Sequence, residues 1–211
     1  MRKAIFWKLA VLGWSLLIFP LAAPLTAAAP ATIRLPPPDR SGGVRLMQAM
    51  QERQSSRDFA EGGLSVQQLS DLLWAAGGIN RPEEGKSTVP IMTPGSDLII
   101  HALLPDGLYL YDPVDNALLL RQAGDHRALA AGPQAFAAQA PLNVILSSGQ
   151  KNDTAAGVIV GHSSQNIYLY CASAGLKAVT RMTMDRQGLR DLLKLPEGQR
   201  PLLILTVGLK P

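Results

Sequence analysis

The most informative stretch of the sequence is a polar cluster that follows a short helical pattern. It reads Glu52-Arg53-Gln54-Ser55-Ser56-Arg57-Asp58-Phe59. Arg53, Ser55 and Arg57 alternate, so an extended backbone would place their side chains on one side. Two guanidinium groups and a hydroxyl suit a phosphate, because arginine makes charge-assisted hydrogen bonds to phosphate oxygens. The alternative interpretation is a solvated helix end with ordinary surface charges, and the stretch alone does not decide between the two.

Helical patterns flank this cluster on both sides. Residues 44–50 carry apolar side chains at helical spacing. After the cluster, Ser65 and Gln68 form a capping box that predicts the start of a second helix. Gly77 and Gly78 predict its end.

The order of the remaining elements is typical of an α+β domain. Residues 79–96 hold three prolines and two glycines, which predicts a long loop of the kind that is usually functional. The apolar patterns predict strands at 98–104, 108–112, 117–121, 142–146 and 201–207, and helices at 126–131, at 163–174 and after Asp185. Helices, a meander, further helices and a closing strand lack the regular alternation of a doubly wound sheet. No G-x-G-x-x-G follows a strand, so a Rossmann nucleotide site is not supported.

The N-terminal residues have the composition of a secretory signal peptide. Three basic side chains within residues 1–8 precede an apolar stretch at 9–25, and small residues follow it. This order predicts a cleaved leader over residues 1–29 and a periplasmic or secreted protein. A membrane anchor is the alternative, but Pro20 and Pro24 leave the stretch short of the about 20 apolar residues of a span. We expect an extended arm at 30–43 and one folded domain at 44–211.

Charge and cysteine content exclude several classes of protein. The formal net charge is +4, and the three basic side chains of the leader account for most of it, so nucleic-acid binding is not indicated. Cys171 is the only cysteine, which excludes a disulfide framework. Its apolar helical context predicts a small buried side chain. None of the three histidines has metal-ligand spacing with other ligand residues, so no metal site is predicted.

The cluster at 52–59 is also the first of several segments that share one resemblance. It is similar to an R-R-S-x-R-x-F element, and residues 69–82 are similar to an L-s-x-L-L-W-A-A-x-G-x-N-R segment. Further matches, in order along the chain, are residues 106–113, 124–129, 140–143, 165–169, 175–176 and 207–208. Together they resemble the nitroreductase-like family of FMN-dependent oxidoreductases, and within it the SagB-type dehydrogenase branch. The resemblance extends from about residue 42 to 211.

This resemblance implies a nitroreductase-like α+β fold, an intertwined homodimer and one FMN in each interface groove. The family's first element holds the FMN phosphate and ribityl chain, and the residues carried over are Arg53, Gln54, Ser55 and Arg57. Lys210 is the available basic residue of the closing strand, with a frayed terminal lysine as the alternative. Gly161 belongs to the family's D-x-G-x-x-x-Q-N pattern and is a further candidate for cofactor binding. The implied chemistry is ping-pong hydride transfer, in which NAD(P)H reduces the flavin and a second substrate reoxidises it.

Two departures from the family affect the end of the site that would face the flavin ring. After Gly85 and Lys86 the branch has an R-T-x-P-S-A-x-N-x-Q loop. Here Ser87, Ile91 and Pro94 stand at its arginine, serine and asparagine positions. In the D-x-G-x-x-x-Q-N pattern, Ile159 replaces the acidic residue. Isoleucine forms no side-chain hydrogen bond and proline lacks an N–H, so this end has fewer donors for a flavin.

Two functional hypotheses follow from this contrast. The residues of the phosphate end favour an FMN-dependent oxidoreductase whose acceptor is unknown. The altered loop favours an exported, non-catalytic module that keeps the fold for dimerisation or ligand binding. Export would also mean that a partner or another reduced donor supplies electrons, because NAD(P)H is not expected outside the cytoplasm. His162, beside Gly161, is a hypothetical flavin contact.

Overall fold

The computed structural model describes residues 30–93 and 97–211 of the protein. The leader expected at 1–29 and the residue Pro94 lie outside the described residues. The helices are α1 Leu46–Glu52, α2 Val66–Gly77, α3 Arg127–Ala131, α4 Ala135–Gln139, α5 Asp153–Ser173 and α6 Arg186–Leu193. The strands are β1 Thr32–Arg34, β2 Ile79–Arg81, β3 Lys86–Ser87, β4 Ile99–Leu104, β5 Gly107–Asp112, β6 Ala117–Ala123, β7 Leu142–Ser148, β8 Leu176–Arg181 and β9 Arg200–Leu209.

Seven of the strands in the described ranges form one sheet, covered by helices on both faces. Neighbouring strands are antiparallel and follow the order β1-β6-β5-β4-β7-β9-β8, while β2 pairs with β3. Every residue of β7 is buried. Val144 of this strand faces the apolar cluster under α2 and α5, and its neighbour Ile145 faces the cluster under α3 and α6. The predicted α+β fold class is confirmed.

Local sequence signals fix the α2 segment as predicted. The Ser65 hydroxyl accepts the Gln68 N–H at 3.1 Å, and the Gln68 side chain accepts the Ser65 N–H at 2.9 Å. These reciprocal bonds satisfy two of the free N–H groups at the helix start. Gly78 follows the helix with an extended backbone, at φ −70° and ψ 162°. Only glycine fits there, because a Cβ would lie 2.7 Å from the Trp74 Cα.

The N-terminal arm runs across α2. Its strand β1 pairs with β6 at the edge of the sheet. Beyond it, the carbonyl oxygen of Pro36 accepts the Ser70 hydroxyl at 2.6 Å, and that of Pro37 accepts the Gln67 amide at 3.0 Å. Prolines lack an N–H but keep a carbonyl acceptor, so α2 side chains can hold this stretch in place.

Three stretches differ from the sequence-based expectation. Helix α5 starts at Asp153, well before residue 163, with the Asn152 side chain accepting the Ala155 N–H at 2.9 Å as a cap. Its first half is rich in small and apolar residues, so it shows no amphipathic period. Strand β8 was not predicted from the sequence, because the feature that makes this segment a strand is its pairing with β9. The expected loop at 79–96 contains the hairpin β2–β3 around a 3₁₀ turn at Pro82–Glu84.

Arg181, at the end of β8, is a buried cation that joins the sheet to the α3–α4 segment. Its guanidinium donates to the Thr206 hydroxyl at 2.9 Å, the Ala130 carbonyl at 2.9 Å and the Gln134 side-chain oxygen at 3.0 Å. Burial lowers the pKa of Arg181 to about 10, so the side chain stays charged at neutral pH. A buried charge that is fully hydrogen-bonded gives these elements one defined arrangement.

The buried His101 predicts an acid-sensitive stability. It lies on β4 with 3 % of its surface exposed, and burial, aided by the charge of Arg121, lowers its pKa to about 4. Between about pH 6.5, the ordinary pKa of histidine, and pH 4, the unfolded chain binds a proton that the folded chain does not. Stability is therefore complete above about pH 6.5 and falls as the pH drops towards 4, by as much as about 3 kcal/mol.

Urea unfolding of the protein and of a His101→Phe variant between pH 7.5 and 4.5 measures this dependence. We expect the free energy of unfolding to fall more steeply in the parent chain, because phenylalanine does not titrate. Parallel pH profiles for the two chains would contradict the assignment to His101.

Candidate functional site

The polar cluster leaves α1 as an extended segment and runs along the edge of the sheet. Arg53 ends the helix with an extended backbone, at φ −61° and ψ 120°. The Ser56 N–H then donates to the Ala178 carbonyl at 2.9 Å, and the Ala60 N–H donates to the Leu209 carbonyl at 3.1 Å. The segment 53–60 is thus attached to β8 and to the end of β9.

Close packing fixes the far end of this segment. A Cβ at Gly208 of β9 would lie 2.8 Å from the Phe59 ring, so only glycine leaves room for the aromatic side chain. The Phe59 ring is itself 6.3 Å from the Phe136 ring of α4. Aromatic contact of this kind adds to the stabilisation from buried apolar area.

Tyr168 of α5 organises the near end. The Arg53 guanidinium lies 5.2 Å from the centre of the Tyr168 ring, and the Ser55 hydroxyl is 2.8 Å from the tyrosine hydroxyl. The same tyrosine oxygen accepts the Thr180 N–H of β8 at 2.7 Å. One side chain thus contacts Arg53 through its ring and Ser55 through its hydroxyl. The one-sided alternation was predicted for Arg53, Ser55 and Arg57, and the contacts of Tyr168 show it for the first two.

A cavity of about 450 Å³ opens between α1, α5 and β8, and we call it the basic cavity. Its lining comprises Gln51, Glu52, Arg53, Gln54, Tyr168, Cys171, Ala172, Gly175, Leu176, Lys177, Ala178 and Lys210. Three cations and one carboxylate face it, and that carboxylate, on Glu52, already accepts the Gln48 amide at 2.8 Å. The net charge of the lining suits an anion, and the volume is in the range of small-molecule sites.

The basic cavity contains some of the expected site residues and one that was not expected. Arg53, Gln54 and Lys210 line it together, although they come from opposite ends of the sequence. Ser55 does not line it but is hydrogen-bonded to the lining residue Tyr168. Lys177 was not predicted from the sequence. There it stands out only as a basic residue two positions after Gly175, the glycine that follows α5. In the structure it pairs with Gly208, two residues before Lys210.

Other candidates lie outside the basic cavity. Arg57 is exposed on the same extended segment and is not part of the lining. Gly161 is exposed on α5, two turns before Tyr168, and a Cβ there would have no neighbour within 4 Å. His162 is also exposed and outside the lining. Cys171 is buried as expected, and burial raises the pKa of its thiol, so it is not a nucleophile at neutral pH.

The altered loop after β3 turns its polar groups inward. The Ser87 hydroxyl donates to the Val89 carbonyl at 2.7 Å, and the Thr88 hydroxyl donates to the Ala75 carbonyl at 3.0 Å. Asn166 of α5 donates to that same carbonyl at 3.0 Å. Ser87 and Ile91 line a second cavity of about 880 Å³, away from the basic one, which we call the apolar cavity.

Metal-ligand clusters and membrane-spanning helices are both absent from the part of the chain that the structure describes. No group of three or more His, Cys, Asp or Glu side chains in residues 30–93 and 97–211 is placed to hold a metal ion. Within the same ranges, no helix is long and apolar enough to cross a membrane.

The sheet and its helices define an α+β domain with a cationic cavity at one sheet edge, and comparison with known proteins specifies the family. Residues 50–209 match the model of the nitroreductase family. The chain is 31 % identical, over 185 residues, to a Methanocaldococcus jannaschii protein named as a nitroreductase. The match covers 79 % of this chain and 92 % of that protein.

Solved structures agree with this match. A Ralstonia eutropha structure titled as a nitroreductase is 36 % identical with a TM-score of 0.81, covering 88 % of this chain and 92 % of that one. An Anabaena variabilis structure, at 17 % identity and a TM-score of 0.65, shares the fold over 79 % of this chain and 38 % of its own. The chain belongs to the nitroreductase family. Membership indicates a flavin-dependent oxidoreductase, and FMN is the typical flavin of the family.

The contacts of Tyr168 predict a cost for removing its hydroxyl. Tyr168→Phe leaves the Thr180 N–H and the Ser55 hydroxyl without their shared partner. We expect the free energy of unfolding to fall by about 1–2 kcal/mol, as is usual for a half-buried polar group that loses its partner.

Tyr170→Phe is the matched control on the same helix. The Tyr170 hydroxyl has only a long bond of 3.4 Å to Asp71, so its loss should cost under about 0.5 kcal/mol. Urea unfolding at neutral pH compares the two variants. Equal stabilities would show that the Tyr168 hydroxyl does not hold the segment.

Proposed function

We propose that the protein is an FMN-dependent oxidoreductase that holds the FMN phosphate in the basic cavity. The observation that carries the proposal is the convergence of Arg53, Lys177 and Lys210 on one cavity in a chain of the nitroreductase family. A phosphate monoester carries close to two negative charges at neutral pH. Three cations with a single, already bonded carboxylate fit such a group.

Each residue of the site has a separate role in this proposal. The planar Arg53 guanidinium would donate two hydrogen bonds to phosphate oxygens, while its stacking on Tyr168 limits the positions that it can take. Lys177 and Lys210 would add point charges from neighbouring strands. The Gln54 amide would donate to the ribityl chain.

Two further residues would contact the cofactor from outside the lining. Arg57 would reach the phosphate from its exposed position, and Gly161 would give the cofactor close access to α5. Ser55 would act with Tyr168 to hold Arg53 in place. FMN, when bound, supplies the hydride chemistry, which we propose to run in two half-reactions of a ping-pong cycle.

The loop at 87–91 departs from the SagB-type pattern, and this departure points to a changed reactant. The polar groups of Ser87 and Thr88 are engaged within the protein, and Ile91 offers none. We therefore propose that the residues near the flavin ring select an apolar reactant, whose identity is open. The same loop favours a second candidate, an exported module that has lost efficient flavin chemistry and serves in dimerisation or ligand binding.

Export follows from the predicted leader at 1–29. In that case the folded domain at 44–211 takes up FMN in the periplasm or outside the cell. We propose that its electrons come from a partner protein or from a reduced donor other than NAD(P)H. NADH oxidation by the flavin-loaded protein tests this point, and rapid turnover would contradict it.

The flavin site is tested by binding of FMN and riboflavin to the purified protein, followed by flavin fluorescence. An Arg53→Gln/Lys210→Gln variant should bind FMN about 100-fold more weakly, since two charge-assisted bonds to the phosphate are lost at about tenfold each. Riboflavin lacks the phosphate, so its affinity should change less than about threefold. Lys151→Gln, an exposed lysine outside the basic cavity, is the control.

The outcomes separate the two candidate functions. FMN bands in the visible spectrum that survive desalting, and are lost in the double variant, support the oxidoreductase. A folded parent chain that retains no flavin would contradict the oxidoreductase proposal and leave the non-catalytic module as the candidate function. Equal losses of FMN and riboflavin affinity would place the phosphate elsewhere.

A homodimer is the second part of the proposal. Helix α1 exposes three large apolar side chains beside the basic cavity, with 60 % of Leu46, 73 % of Met47 and 50 % of Met50 accessible. Apolar patches of this kind mark contact surfaces. Because α1 also supplies lining residues to the cavity, a dimer through this face would place the flavin at the interface.

Sedimentation velocity tests the dimer. The parent chain should sediment as a dimer, and Met47→Glu/Met50→Glu should shift it to a monomer because two charges would be buried in the contact. Val114→Glu is the control, since Val114 is 81 % exposed on the hairpin between β5 and β6. A dimer that survives the double change would exclude the α1 face.

A further inference from the structure

The apolar cavity lies between the end of α2, the loop after β3 and the hairpins of β4, β5 and β6. Its volume is about 880 Å³, within the range of sites that enclose a small molecule. The walls are formed mainly by apolar side chains, including Ile79, Val89, Leu98, Ile100, Leu110 and Leu119. An occupant with a large apolar surface would therefore gain free energy by leaving water.

Nearly all neutral polar side chains in the wall are already hydrogen-bonded within the protein. The Trp74 indole N–H donates to the Ile79 carbonyl at 3.0 Å. The Tyr111 hydroxyl donates to the Asn116 side-chain oxygen at 3.0 Å, and the Asn116 amide donates to the Pro36 carbonyl at 2.9 Å. These groups make few demands on an occupant, so the walls recognise an apolar body and not a pattern of polar atoms.

The charges at the cavity differ in how fully they are engaged. Lys86 forms an ion pair of 2.6 Å with Glu84, and Arg81 lies 4.0 Å from the same carboxylate. The Asp112 carboxylate accepts the Val114 N–H at 2.9 Å. The negative charges near the cavity are thus bound to partners that belong to the protein.

Arg40 is the cation of the lining that lies over an aromatic ring of the wall. Its guanidinium lies 5.4 Å from the centre of the Trp74 ring. It makes no hydrogen bond or ion pair with any residue in the described ranges. A guanidinium that stacks on an aromatic ring keeps its N–H groups free at the edge, where an anion can accept two of them.

We propose that the apolar cavity binds an anionic amphiphile, a small molecule with one carboxylate-like group on an apolar body. The apolar body lies against the walls that end at Trp74, and the anionic group pairs with Arg40 at the mouth. This site shares no lining residue with the basic cavity. Ser87 and Ile91 line it, so the inference rests on the proposed function and assigns a chemical class to the apolar reactant proposed there. It gives the protein a second ligand of a different chemical class.

Dodecanoate, below its micelle concentration, is the probe. The full chain has three tryptophans, Trp7, Trp14 and Trp74. Changing Trp7→Phe and Trp14→Phe leaves Trp74 as the only one, so its emission reports on the cavity. We expect a saturable change in emission with dodecanoate, weaker binding of neutral dodecanol and no binding of dodecyltrimethylammonium.

Arg40→Gln in this background isolates the ion pair. We expect the Kd for dodecanoate to rise about tenfold, and that for dodecanol to change less than about twofold. Dissociation constants are compared because the substitution also alters the starting emission of Trp74. Arg34→Gln, an exposed arginine on the same arm and outside the cavity, should leave both constants unchanged.

A second variant tests the apolar walls without touching the charge. Leu110→Phe enlarges a half-buried wall residue. It should weaken dodecanoate and dodecanol to a similar extent, by at least about threefold.

Several results would overturn the proposal. One is a Trp74 emission that does not saturate with dodecanoate. Another is an equal Kd for dodecanoate in the Arg40→Gln and Arg34→Gln variants. Emission that follows protein concentration instead of dodecanoate would show that a second copy of the chain covers the face. A response to phosphatidylglycerol vesicles alone would show a membrane surface in place of a free ligand.

Discussion

Burial of one face of the sheet under α5 is the constraint on which the rest of the structure depends. This helix spans Asp153–Ser173 and packs on α1, α2 and the strands β7 to β9. Tyr168 belongs both to the apolar core and to the lining of the basic cavity. The position of Arg53 above its ring therefore follows from how the core packs. A change deep in the core at α5 would move the cationic segment, whereas a change on the exposed face of α6 would not.

Signals carried by neighbouring residues could be predicted from the sequence. The capping box of Ser65 and Gln68 and the break between the strands predicted at 98–104 and 108–112 each depend on a few consecutive residues. The structure has both where they were expected. The convergence of Arg53 and Ser55 on one side also follows from a local rule, the two-residue period of extended chain. The presence of Lys210 beside Arg53 came only from the family resemblance.

Features that arise from packing could not be predicted in the same way. The first half of α5 has no amphipathic period, because sheet, α1 and α2 surround much of the helix. Lys177 lies at the basic cavity because β8 pairs with β9, and this pairing places Lys177 opposite Gly208. Arg57 did not follow the alternation into the cavity lining. The segment bonds to β8 at Ser56 and to β9 at Ala60, and Arg57 lies exposed between these two attachments.

The single thiol of the chain gives access to the motions of the protein. Cys171 has 2 % of its surface exposed and sits in the helix that covers the sheet. Cys171 also helps to line the basic cavity, so a thiol reagent reaches it when the packing around that cavity loosens. The rate of alkylation under native conditions therefore reports on that opening event, and in the limit of fast reclosing it yields the free energy of opening. A ligand that holds α1 and β8 together should lower the alkylation rate without contacting the sulfur.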